Sequence, residues 1–85
     1  MLLELITSDQ IRAARALLKW SAKDLASHSG VGISTIKRLE LMDGVPVAQT
    51  RILASIHNTL RTAGIEFIGA PDDGPGVRLR GRVDP

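Results

Sequence analysis

Leu25-Ala26-Ser27-His28-Ser29-Gly30-Val31-Gly32-Ile33-Ser34-Thr35-Ile36-Lys37-Arg38-Leu39-Glu40 is the stretch that decides the fold. Apolar residues recur at helical spacing on either side of Gly30, so two short helices are expected with a sharp turn between them. Ala26 is small enough to let the second helix approach closely. Gly30 accepts the left-handed conformation that ends the first helix. Val31 and Ile36 are placed to fill the space between the two. Small residue, glycine and apolar plug in this order are what a helix-turn-helix requires.

Working outward, an earlier helix is expected from Thr7. Thr7-Ser8-Asp9-Gln10 reads as a capping box, with Thr7 as N-cap and Gln10 three positions later. Ile11, Ala14, Leu17 and Leu18 then define one apolar face, away from Arg12 and Lys19, and the helix should stop near Trp20. Ser21 caps the next helix, with Asp24 three residues on. The third runs roughly from Ile33 to Leu41 and is broken by Asp43-Gly44 and Pro46. A fourth is expected from Val47 to about Ala63, with a stripe of Ile52, Leu53, Ile56 and Leu60 and a stop at Gly64. Beyond Gly64 the period changes to two. Ile65-Glu66-Phe67-Ile68 and Val77-Arg78-Leu79-Arg80 read as strands of a hairpin, joined by a wide loop over Gly69 to Gly76. The expected architecture is mainly α, with four to five helices and a C-terminal two-stranded β-hairpin. It divides into a helical unit over residues 1–64 and the hairpin over 65–85.

The 85 residues include no cysteine, so disulfides and thiolate metal sites are excluded. His28 and His57 are too far apart to suggest a metal site, and no cofactor is expected. Neither a GxSxG, Walker or HExxH arrangement nor an acid/base dyad is present, so the chain does not read as an enzyme. Gly74-Pro75-Gly76 precedes no helix start and is a turn rather than a phosphate cradle. The apolar start, Leu2 to Ile6, has no basic flank and is cut by Glu4 and Asp9. It is neither signal peptide nor membrane span, and a soluble cytoplasmic protein is expected. Leu2, Leu3, Leu5 and Ile6 either extend the core or a dimer contact, or form a loose terminus.

The net charge of +2 is unevenly placed. From Arg12 to Arg61, eight basic and three acidic residues give +5, while the flanks hold three basic and six acidic residues and carry −3. A basic middle suits a polyanion, although an ordinary solvated surface has the same composition.

Leu25-Ala26, Gly30-Val31, Ser34-Thr35-Ile36, Leu39-Glu40 and the closing Gly44 resemble the lambda-repressor-like, XRE/Cro type of helix-turn-helix regulator. The resemblance runs from about Ile11 to Leu60. It implies double-stranded DNA as partner, with the helix over 33–41 in the major groove, which is wide enough to admit one. Base contacts would fall on Ile33, Ser34, Lys37 and Arg38. Ile33 would meet a thymine methyl, and Arg38 would bridge O6 and N7 of guanine. The resemblance further implies a structural ion pair between Arg15 and Glu40. Phosphate contacts are expected at helix N-termini and nearby polar groups, from Ser21, Lys23, Thr35 and Gln49. Ala22 stands where many members carry glutamine, and Gly32 replaces a more usual hydroxyl residue. Both departures remove a polar group.

A homodimer is expected, because two units read two half-sites. Ile65, Phe67, Val77 and Leu79 of the hairpin are the candidate dimerisation residues. The competing reading is that the hairpin covers its own helices. Two functional readings follow: a transcriptional repressor, or a protein-interaction module, antitoxin-like or anti-regulatory, that keeps the scaffold and binds little DNA.

Overall fold

The computed structural model describes residues 5–80. They form four helices and one hairpin: α1 (Ser8–Leu18), α2 (Ala22–Ser29), α3 (Ile33–Glu40), α4 (Thr50–Thr62), β1 (Ile65–Ala70) and β2 (Asp73–Leu79). Among the described residues there is no fifth helix.

Both expected capping boxes form. The Thr7 hydroxyl accepts from the Gln10 N–H at 3.0 Å, and the Gln10 side chain accepts from the Thr7 N–H at 2.8 Å. Ser21 and Asp24 do the same at the start of α2. Two of the orphan N–H groups at each helix start are thereby satisfied locally. The chain leaves α1 through Lys19, which takes a left-handed conformation (φ 59°) and is the one non-glycine residue with positive φ among those described. α2 ends on Gly30 (φ 76°), as the turn requires.

Two boundaries differ from expectation. α4 starts at Thr50 rather than Val47, because Gln49 is still extended (φ −60°, ψ 142°) and supplies the carbonyl for the first helical bonds. The hairpin strands are longer than expected and the loop shorter. Ala70 pairs with Asp73, leaving only Pro71 and Asp72 at the tip. Between Ile68 and Ala70 the register slips, so that Gly69 on β1 lies opposite Gly74 and Pro75 on β2. Gly69 (φ 75°) and Gly74 (φ 64°) supply the backbone for this bulge. The run of glycine and proline that reads as a wide loop is thus a kinked ladder.

One core joins the whole. Ile6, Ile11, Ala14, Leu18, Leu25, Val31, Ile36, Leu39, Ile56, Leu60 and Ile65 are buried together. Ile6 is therefore core, Leu5 is exposed, and Leu2 and Leu3 lie outside the described residues. Residues directly opposite in an antiparallel pair share a face, so Ile65, Phe67, Val77 and Leu79 line one side of the hairpin. Most of that side rests on the chain's own helices: Ile65 is buried, Phe67 and Val77 pack against the core, and Phe67 stacks on His57 of α4 at 4.9 Å, while Leu79, at its end, stays 39% exposed. Gln10 fastens the hairpin further, its amide Nε2 donating to the carbonyls of Ile68 (3.2 Å) and Gly76 (2.9 Å).

Candidate nucleic-acid interface

α3 is anchored at one end and open at the other. Its last carbonyls are orphans of the helix geometry, and α1 takes two of them. The Ser8 hydroxyl donates to the Leu39 carbonyl at 2.7 Å, and Arg12 donates to the Glu40 carbonyl at 3.1 Å. Arg15 completes the clamp. Its Nε and Nη2 each donate to a Glu40 carboxylate oxygen at 2.7 Å, while Nη1 donates to the Trp20 carbonyl at 2.9 Å. Glu40 is buried, and its hydrogen bonds raise the Arg15 pKa above the ordinary value. A fork-shaped pair of this kind fixes orientation as well as distance. Arg15 is consequently occupied within the protein.

Ile36 and Leu39 are the inward side of α3. At helical spacing, the opposite side brings Ile33, Ser34, Lys37 and Arg38 into one exposed stripe, which Leu41 extends. Among the described residues, Lys37 and Arg38 take part in no ion pair. The one acidic residue of α3, Glu40, is spent on Arg15. The outward charge of the helix is therefore positive only.

The other expected contacts separate into two places. Ser21 and Lys23 are exposed at the start of α2, but that terminus already holds an anion. The Ser21 N–H and hydroxyl hold the Asp24 carboxyl below its usual pKa, so it stays charged there. By contrast, neither α3 nor α4 has a side-chain cap: Gly32 has no side chain and Gln49 makes no capping bond. Their first turns border the same cleft of about 400 Å³, which Thr35, Arg51 and Ser55 help to line. Gln49 is exposed beside it, its amide oxygen accepting from Arg51 Nε at 3.1 Å. Two helix N-termini and a guanidinium around one opening favour an anion.

Sequence reasoning missed Arg51. A signal was available: a cation in the first turn of a helix opposes the helix dipole, so its presence there calls for a negative partner. His57, considered in the sequence only as a metal ligand, is buried against Phe67. Trp20 is only half-buried, and its indole stacks on the exposed His28 ring at 4.3 Å and 7°.

Among the described residues, no group of three or more histidine or acidic side chains could hold a metal, and no helix is long and apolar enough to cross a membrane. No family model matches the chain, and no curated protein matches it.

Proposed function

We propose that this chain is a sequence-specific double-stranded DNA-binding regulator of transcription, a repressor that acts as a homodimer and reads the major groove with α3. The observation that carries the reading is the stripe Ile33, Ser34, Lys37 and Arg38, exposed and bearing only positive charge, on a helix clamped at its C-terminal end. An α-helix fits the major groove, about 12 Å wide. Rigid attachment to α1 fixes the register in which its side chains meet base edges. The cleft bordered by the starts of α3 and α4, with Arg51, supplies a place for a backbone phosphate beside that helix. Occupying a promoter in this way blocks polymerase access.

The test is fluorescence anisotropy with the DNA upstream of the protein's own gene and a scrambled duplex, at two salt concentrations. Preference for the native DNA, weakened by salt, is the expected result. Counterion release makes log K fall with log salt by about 0.9 per phosphate contacted. Absence of binding to either duplex by folded protein overturns the reading.

One observation favours a second reading. Leu41 (83% exposed) and Val47 (80%) lie exposed near the end of α3, and Ile33 is also exposed. Such apolar groups suit a protein partner. A protein-interaction module, antitoxin-like or anti-regulatory, would bind that partner with little salt dependence and leave DNA alone.

A further inference from the structure

The hairpin's two faces have different fates. Its inner face, with Ile65, Phe67 and Val77, is occupied by the chain's own helices. By strand alternation the outer face carries Glu66, Ile68, Gly76, Arg78 and Arg80. Ile68 is 40% exposed at its centre. It lies across Gly76, where an added Cβ would come within 3.2 Å of the Ile68 side chain, so the glycine leaves a low apolar platform.

The ends of this platform have opposite sign. At the open end, Glu66 is shared by Arg78 (2.7 Å) and Arg80 (3.0 Å), which leaves one positive charge in excess. At the tip, Asp72 and Asp73 are both exposed, and neither is in an ion pair among the described residues. Arg80 and Asp72 each stand four residues from Gly76; Arg80 lies roughly 13 Å away along the strand, while the bulge and the turn bring Asp72 nearer, a difference that a long arginine side chain spans. A two-fold axis lying between the two faces, across the strands at the level of Ile68 and Gly76, exchanges these ends. It sets the Asp72 of each copy against the Arg80 of the other and brings the two Ile68 side chains together.

We infer that the outer face of the hairpin is the docking surface for a second copy of this chain, in an isologous pair centred on Ile68. The surface is complementary to itself only in the antiparallel sense, which a two-fold axis running across the strands produces and one running along them does not. The inference names the contact behind the homodimer of the proposed function, but its test uses no DNA, so either can fail without the other.

The experiment is sedimentation equilibrium on the full chain and three variants, with circular dichroism to confirm folding. The wild type should be dimeric. Ile68→Lys, at an exposed position, should stay folded and become monomeric. Asp72→Arg and Arg80→Asp should each dissociate at least tenfold more readily alone, because each places like charges at both ends of the pair. Mixed in equal amounts, those two variants should recover the wild-type association as a heterodimer, since both contacts again join opposite charges. A monomeric wild type, an Ile68→Lys variant that remains dimeric, or a mixture that fails to recover association overturns the inference.

Discussion

Glu40 sits where three separate demands meet. It ends α3, it is buried, and it neutralises a partly buried guanidinium. Glu40→Gln removes the charge while keeping the shape, and leaves Arg15 without its counter-ion. Arg15 keeps its bond to the Trp20 carbonyl but loses a charge-assisted one, worth about 1.5–3 kcal/mol, so urea denaturation should show a loss of that size. Arg15→Lys should not rescue function at this site, because an ammonium cannot reproduce the two-pronged contact. Lys19 offers the opposite case. A non-glycine residue in the left-handed region costs roughly 1 kcal/mol, so Lys19→Gly should raise the denaturation midpoint without touching any contact. Asp24 and Glu66 set the response to acid. Ser21 lowers the pKa of the first, and Arg78, with Arg80, that of the second. Both therefore bind protons less readily folded than unfolded. Their contribution is present above the ordinary carboxylate pKa and is lost as pH falls through the depressed, folded value. A pH titration of stability should decline in that acid range, and the decline should be shallower in Asp24→Asn and Glu66→Gln.

At the level of elements, the legible features were those whose causes are local. A capping box spans four residues, so the starts of α1 and α2 could be read directly, as could the apolar spacing of α3. The start of α4 could not, because no capping side chain marks it and Gln49 remains extended. The hairpin misled for a different reason. Glycine and proline signal turns, yet Gly69 and Gly74 serve a bulge inside the ladder. Of the contacts between distant positions, the Arg15–Glu40 pair was legible only through the family resemblance, and those of Gln10, 58 and 66 residues from the carbonyls it binds, left no trace in the sequence. The two bulge glycines give a sharp prediction. A Cβ on Gly69 would stand 2.0 Å from the Gly74 carbonyl oxygen, whereas one on Gly74 would meet nothing within 4 Å. Gly69→Ala must displace backbone and should lower the melting temperature by on the order of 10 °C. Gly74→Ala carries only the cost of its positive φ, about 1 kcal/mol, and should lower it by roughly half as much. Equal losses would show that backbone conformation, not the close approach, limits the bulge.

The molecule as a whole couples α3, the proposed reading helix, to a hairpin through one shared core. Ile65 is buried with Ile36 and Leu39 of α3, and α1 grips both α3 and the hairpin through Ser8, Arg12 and Gln10. If two copies join at Ile68, each recognition helix is held at a fixed offset from its twin, and the second half-site is met at high effective concentration. Linking two binding events in this way strengthens the whole by roughly 10²–10⁴-fold. Ile68→Lys should therefore lose that much affinity for a two-fold symmetric operator while keeping wild-type affinity for an isolated half-site, because its α3 is unaltered. Arg38→Ala should do the reverse in kind: it weakens half-site and full site together, by about 1–3 kcal/mol per contact at one base position. Lys37→Ala, if it meets phosphate, should weaken all sequences alike and reduce the salt slope by about 1. Anisotropy titrations of the three variants on both duplexes separate these outcomes. An Ile68→Lys variant that binds the full operator as tightly as wild type would mean that the two helices act independently, however the chains associate.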